Sequence, residues 1–210
     1  MYKKKSFFVT FEGIEGSGKS YQCKKLCNSL KKKGIDVTLT REPGGSHGAE
    51  KIRRLILTGL KDKFSKTTDT LLYLAARNEH LEKKLIPSIN KKKIVICDRY
   101  IDSTMAYQVY GRGVKKILVD SIHKNILGNY KPQLTFVLKV NLKKAFQRIK
   151  KRKHINRYDK FPKKFYEKVQ NAFIKIAKKN KKVYFVIENS KDTNKTEKII
   201  LNKFLEIFKK

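Results

Sequence analysis

Gly13-Ile14-Glu15-Gly16-Ser17-Gly18-Lys19-Ser20 is the stretch that decides the architecture. It fits the pattern G-x-x-x-x-G-K-[ST], and it sits in the context that pattern requires. An apolar run at 7–11 precedes it as a predicted strand. A run with Cys23, Leu26, Cys27 and Leu30 on one face follows it as a predicted amphipathic helix. Glycines let the chain turn so that successive backbone N–H groups point inward, and the helix N-terminus adds its dipole. Such a cradle would wrap a nucleoside triphosphate, with the Lys19 ammonium on the β- and γ-phosphates and the Ser20 hydroxyl on Mg²⁺. The alternative is a chance glycine-rich turn, against which the register of strand, motif and helix argues. The motif establishes triphosphate binding as the expectation and leaves the acceptor open.

A second signal is Ile94-Val95-Ile96-Cys97-Asp98-Arg99-Tyr100. An acidic residue at the carboxyl end of a buried parallel strand lies where open α/β sheets bind ligands. Asp98 could complete the Mg²⁺ shell opposite Ser20, in part through water, and the Arg99 fork suits a phosphate. Alone, an Asp-Arg pair after a strand could equally be a helix-capping ion pair. Elsewhere apolar runs alternate with helix-period segments, which predicts an α/β fold with a parallel sheet covered by helices. Strands are expected at 7–11, 37–40, 94–97, 134–140 and 183–187. Helices are expected at 19–33, 48–57, 67–89, 101–110, 114–127, 142–152, 163–179 and 194–208. No repeat or linker marks a second domain, so residues 1–210 read as one. Residues 150–162, dense in charge and poor in aliphatics, form either a surface connection or a mobile lid.

Composition narrows the class. The chain has 210 residues, 40% of them hydrophobic and 33% charged, which is enough apolar content to close one core. No apolar run approaches the ~20 residues of a membrane helix. The basic start and short apolar stretch imitate a secretory signal, but the stretch runs directly into the glycine motif, so a strand and a cytoplasmic location are expected. Cys23, Cys27 and Cys97 suit a reducing compartment, and no second pair at ligand spacing turns Cys23 and Cys27 into a zinc site. The histidines 47, 80, 123 and 154 form no metal constellation. The formal net charge of +34 would favour a polyanionic partner. Its lysines, however, are spread in short runs such as 31–33 and 91–93, with no aromatic-interleaved motif. A solvated lysine-rich surface is the plainer reading, and no specific nucleic acid is expected.

Four further segments complete the pattern: Thr40-Arg-Glu-Pro-Gly-Gly45, Tyr73-Leu-Ala-Ala-Arg77, Asp98 through Gln108, and Gly111-Arg-Gly113. With the phosphate loop they resemble the thymidylate kinase family, bacterial type, over nearly the whole chain. That resemblance implies a three-layer P-loop kinase fold with a five-stranded parallel sheet and a short mobile lid near 150–162. It also implies a homodimer that transfers the γ-phosphoryl group of ATP to dTMP with Mg²⁺. Tyr73 would stack on thymine and Arg77 would bond its carbonyl edge. Arg99 would bind the dTMP phosphate, Ser103 would belong to the dTMP site, and Glu42 with Pro43 would shape the acceptor pocket. Thr104 and Gln108 would contact the base, while Tyr107 and Glu15 would line the sugar and disfavour a 2′-hydroxyl.

Departures from the family pattern are informative. Gly16 carries no basic side chain, which implies that the lid supplies the cation, from Arg152 at the end of its helix or from Arg157. Arg148 would flank the adenine, near a loop at 187–190. The lid reads Asn156-Arg157-Tyr158-Asp159, so its arginine is kept while a flanking acidic residue is lost, removing an expected salt-bridge partner. Another nucleoside monophosphate kinase, a deoxynucleoside kinase and a DNA-stimulated ATPase are the rival readings. The Tyr73–Arg77 and Thr104–Gln108 sets argue against the first two, and only net charge favours the third.

Overall fold

The computed structural model describes residues 5–60, 62–152, 156–191 and 194–209. Met1 to Lys4, Lys153 and His154 therefore lie outside the described residues. Five strands, β1 (Phe7–Glu12), β2 (Val37–Arg41), β3 (Ile94–Asp98), β4 (Leu134–Lys139) and β5 (Tyr184–Glu188), form one parallel sheet in the order β2-β3-β1-β4-β5. All six residues of β1 are buried, as expected of a central strand covered on both faces. Alternation sends Phe7, Val9 and Phe11 to one face and Phe8 to the other.

The first face packs against helices α1 (Lys19–Lys31) and α9 (Asn194–Phe208), through Cys23, Leu26, Cys27, Leu30, Ile200, Phe204 and Phe208. Ile200, Phe204 and Phe208 recur every four residues, which keeps them on one stripe of α9. The opposite face is covered by α3 (Lys66–His80), α5 (Ile101–Thr104), α6 (Lys116–Ile126), α7 (Leu142–Lys150) and α8 (Lys163–Lys178), with α2 (His47–Leu57) packed beside α3. This is the three-layer arrangement.

The differences from expectation have local causes. The helix expected at 67–89 is continuous but widens to a π-helical turn at Leu81–Leu85 before α4 (Ile86–Asn90). Pro87 has no N–H and crowds the carbonyl four residues back, and the Ile86 N–H bonds to Leu81, five residues back. After α5 a second π-helical segment, Met105–Gly111, closes with the Arg112 N–H on the Tyr107 carbonyl at 3.0 Å. Gly111 is required there, because a Cβ would sit 2.9 Å from the Phe165 ring of α8. The helix expected to reach Arg152 stops at Lys150, and a 3₁₀ turn, Arg157–Lys160, follows where no regular element was expected. That turn carries a capping box in which Asn156 and Asp159 satisfy each other's backbone.

Strand order places the functional segments. β1 and β3 are neighbours, with Phe11 opposite Asp98, and β2 lies on the far side of β3 with Arg41 opposite Asp98. The three chain segments leaving these strands are tied together: Arg99 N–H donates to Phe11 O at 2.9 Å, and Glu42 N–H donates to Asp98 O at 2.9 Å. The phosphate loop, the Asp98-Arg99 pair and the Glu42-Pro43 turn thus emerge side by side at one edge of the sheet, at a topological switch point.

Candidate active site

A cavity of about 500 Å³ opens at that edge. Its walls include Glu15, Gly16, Gly18, Lys19 and Ser20 of the loop, Glu42 and Pro43, Tyr73 and Arg77 of α3, Asp98 and Arg99. The helix and π-helical segment after Arg99 contribute Ser103, Thr104, Tyr107 and Gln108, and the lid side contributes Arg148 and Arg152. Of the expected site residues with side chains aimed at a nucleotide, Arg157 is the one the structure places elsewhere.

In the loop, Lys19 is 6% exposed, and its ammonium donates to Ile14 O at 2.8 Å and to Ser17 Oγ at 3.4 Å. An ammonium has three donors, so one remains for a ligand. Burial, then the neighbouring Arg99 charge, pushes the Lys19 amine down to about 8. Gly16 has φ +73°, and a Cβ there would stand 2.4 Å from the Ala145 carbonyl at the start of α7. The loop is therefore clamped under α7 too closely for any side chain at position 16, basic or not. Arg148 of α7 ties the loop to the segment after β5, donating to Gly16 O at 3.0 Å and to Asn189 O at 3.1 Å. Asn189 in turn donates to Ser17 O at 2.7 Å.

Ser20 donates a short hydrogen bond to Asp98 Oδ2, while Asp98 Oδ1 is buried with no hydrogen-bond partner among the described residues. A hydroxyl beside an unsatisfied carboxylate oxygen is a donor set that suits a hard cation such as Mg²⁺. No cluster of three histidine, cysteine or acidic side chains able to hold a metal occurs among the described residues.

Arg99 stands at φ 74°, a left-handed backbone that a non-glycine residue adopts only when its surroundings impose it. Its N–H is fixed to β1, and Glu12 accepts the next N–H, from Tyr100, at 2.7 Å. Glu12 also accepts the Ser103 hydroxyl at 2.7 Å; burial, then repulsion from Asp102, pushes its carboxyl up to about 8. The Arg99 guanidinium donates to Gly13 O at 2.9 Å, Ser103 Oγ at 3.1 Å and Glu15 Oε1 at 2.8 Å, and lies 5.0 Å from the Tyr107 ring centre. Tyr107 donates a short bond to the other Glu15 oxygen. Burial alone would raise the Glu15 carboxyl, but the charges of Arg99 and Lys19 outweigh it and hold it below the usual value.

Arg77 is 3% exposed and anchored on several sides. It donates to Glu42 at 2.7 Å, Thr104 Oγ1 at 2.7 Å, His123 Nε2 at 2.8 Å and Tyr100 O at 2.9 Å. Since arginine only donates, His123 must be neutral with its proton on Nδ1. Burial, then the Arg77 charge, depresses His123 to about 3, in keeping with that tautomer. These four bonds use four of the five guanidinium N–H groups. Glu42 is held on its other oxygen by His80 at 3.0 Å.

Several contributors were invisible in the sequence. Arg53 of α2 lines the cavity and donates to Pro43 O at 2.6 Å, and Arg41 lines it beside Glu50. His80 and His123, read as scattered, brace Glu42 and Arg77. Tyr158 also lines the cavity. Arg53, His80 and His123 sit on helix faces chosen by packing, outside every motif, whereas Arg41 at the end of β2 and Tyr158 in the lid turn lie inside motif segments that give them no role.

The lid needs correction at two points. Arg157 is 1% exposed and its guanidinium is paired with Asp69 of α3, so burial and pairing turn it away from the transfer site. Arg152 lies beyond the end of α7 rather than on it, and is held by Asp159 at 3.2 Å. The acid absent at position 156 leaves neither arginine unpaired, because Arg152 is held by Asp159 and Arg157 by Asp69.

A phosphate loop, an acidic strand end and a facing base-sized pocket on one sheet edge define the class: a P-loop kinase acting on a nucleotide. A sequence profile described as thymidylate kinase matches residues 11–200. The chain belongs to the thymidylate kinase family. It is 40% identical over 186 residues to the thymidylate kinase of Ruegeria pomeroyi, covering 88% of each chain. Against that of Aster yellows witches'-broom phytoplasma it is 41% identical over 204 residues, 96% of this chain and 98% of the relative. The crystal structure of thymidylate kinase from Ehrlichia chaffeensis superposes with a TM-score of 0.76 at 35% identity, covering 96% of this chain and 99% of that one.

Proposed function

We propose that the chain, a dTMP kinase by family, transfers the γ-phosphoryl group of ATP to dTMP, giving dTDP and ADP for dTTP synthesis, as one domain with its chemistry in the cavity described. The observation that carries this reading is the juxtaposition of Lys19 and Ser20 with Arg99 across one strand spacing, facing a pocket walled by Tyr73 and Arg77. Residues 13–20 and Arg148 hold ATP. Ser20 and Asp98 hold Mg²⁺, which when bound neutralises charge on the phosphate oxygens. Arg99, with Arg53 beside it, receives the dTMP phosphate; Tyr73 stacks on thymine, and the remaining Arg77 donor meets a carbonyl of the base.

Little covalent chemistry is required of the protein. The acceptor is a phosphate oxygen with a low pKa, so no strong general base is needed. The side chains align donor and acceptor, exclude water and offset the charge on the equatorial oxygens. Lys19, Arg99 and Arg152 supply that cationic surround.

Assembly and location follow the family. Leu55 on α2, Leu71 on α3 and Ile117 on α6 are exposed aliphatics on packed or neighbouring helices, which supports a homodimer through these faces. Among the described residues no helix is long and apolar enough to cross a membrane, and a cytoplasmic enzyme is the reading we adopt.

A coupled assay for ADP across dTMP, dUMP, dCMP, AMP and GMP tests the acceptor. The highest kcat/KM is expected for dTMP, and faster turnover of AMP or dCMP would overturn the acceptor assignment while leaving ATP binding intact. Sugar choice is tested at Tyr107. Its ring packs among Tyr158, Phe165 and Phe173 and its hydroxyl holds Glu15. Tyr107→Ala should narrow the preference for deoxyribose over ribose monophosphates by roughly ten- to a hundredfold, the effect of ~1–3 kcal/mol of lost exclusion. Tyr107→Phe should keep most of it. A ratio unchanged in Tyr107→Ala would mean that the ring only packs.

A further inference from the structure

We infer that Asp69, on the first turn of α3, is a positioning residue for the acceptor, latching the lid turn onto the dTMP pocket. Asp69 has no exposed surface, yet three donors from two different segments converge on it. Arg157 of the lid turn bonds its Oδ1, Arg112 bonds Oδ2 at the exit of the π-helical segment, and the Tyr158 hydroxyl donates to Oδ2 at 2.6 Å. A carboxylate is the side chain that can accept from all three at once, and two guanidinium charges balance its burial.

The consequence reaches the cavity through Tyr158. Its hydroxyl, while donating to Asp69, accepts from Gln108 Nε2 at 3.2 Å. Its ring meets Tyr73 edge-on at 5.9 Å and Tyr107 edge-on at 5.9 Å, and stacks on Phe161 at 5.3 Å. The Tyr158 carbonyl accepts the Tyr166 hydroxyl at 2.7 Å, which seats the turn on α8. One lid residue therefore touches the thymine-stacking ring, the sugar-facing ring and the amide proposed for the base, and Asp69 sets where it stands. The lid turn is part of the acceptor pocket, so lid docking and acceptor binding are thermodynamically linked, whereas the ATP side of the cavity, built on residues 13–20 and Arg148, is outside this cluster.

This inference rests on the reading of Tyr73, Tyr107 and Gln108 as the acceptor pocket, and the test separates the two. Steady-state KM for dTMP and for ATP is measured in Tyr73→Ala, Asp69→Asn and Tyr158→Phe, with folding checked by circular dichroism and thermal melting. Hydrogen exchange of the Arg157–Lys160 amides is followed with and without dTMP. Asp69→Asn should raise KM for dTMP at least tenfold with KM for ATP within threefold, and should abolish the protection that dTMP gives the lid turn in the parent enzyme. Tyr158→Phe, which keeps the ring and removes the two hydroxyl bonds, should raise KM for dTMP severalfold, and decides the matter if Asp69→Asn does not fold. A normal KM for dTMP in Tyr73→Ala would sink the acceptor-pocket reading itself. If Tyr73→Ala impairs dTMP while Asp69→Asn and Tyr158→Phe stay within twofold, or if both substrates weaken equally in them, the latch is overturned.

Discussion

Arg152→Ala should lower kcat at least a hundredfold while ATP still binds. The reason lies in what the phosphate loop cannot supply. Gly16 is pressed against the Ala145 carbonyl, so no cation can be carried at that position. Charge on the transferring group beyond what Lys19 and Arg99 offset must be met from the opposite wall. Arg152 reaches that wall, its side chain is 39% exposed, and its bond to Asp159 occupies one nitrogen while the rest of the planar fork is available. Arginines that act on the transition state in phosphoryl transfer are worth up to ~10³–10⁵ in rate. Loss of such a group lowers kcat and kcat/KM together. Arg157→Ala should behave differently: it takes one of two guanidinium partners from the buried Asp69, leaving Arg112 and the Tyr158 hydroxyl, and should show as a fall in Tm and a weaker grip on dTMP. The measurement is single-turnover transfer alongside equilibrium ATP binding. An Arg152→Ala enzyme within threefold of the parent in kcat would remove the residue from the mechanism.

Lys19→Ala should cost about 10²–10³ in kcat, the range for deleting one preorganised donor to developing charge. A sharper signature is its pH dependence. Burial and Arg99 bring the amine down to about 8, so in the free enzyme the cation is present below that pH and lost above it. Since kcat/KM reports free-enzyme ionisations, kcat/KM for ATP should fall above pH ~8 by about tenfold per unit, while kcat holds further because bound phosphates restore the proton. Glu12 is also placed at about 8, and Lys19→Arg separates the two, as a guanidinium stays charged throughout. A limb that persists unchanged in Lys19→Arg would assign the titration to Glu12.

How much could be read from the sequence follows from how each part is encoded. The phosphate loop was legible because its geometry demands glycine at fixed offsets next to a strand and a helix. Asp98 and Arg99 were legible because the end of a buried parallel strand is a defined place. Asp69 was not: one acid on a helix reads as solvated, and its three donors come from 43, 88 and 89 residues away. His123 contacts Arg77 from 46 residues away by the same kind of packing. Arg157 shows the other limit, since a motif can preserve an arginine without stating which way it points. The π-helical turn at Pro87 had a visible cause, whereas the one after Thr104 has none in the local sequence.

The side-by-side exit of β1, β3 and β2 makes the sheet a ruler for the reaction. Adjacent strands are ~4.8 Å apart, so the donor loop on β1 and the Glu42-Pro43 turn on β2 are set at roughly twice that, with Arg99 on the graduation between them. The gauge is ruled in backbone hydrogen bonds, which resist stretching far better than side-chain contacts do. A substitution deep in the sheet, remote from every nucleotide atom, would thus be felt first as a miscalibrated gap between the reacting groups, where a 1 Å error can cost about a hundredfold in rate.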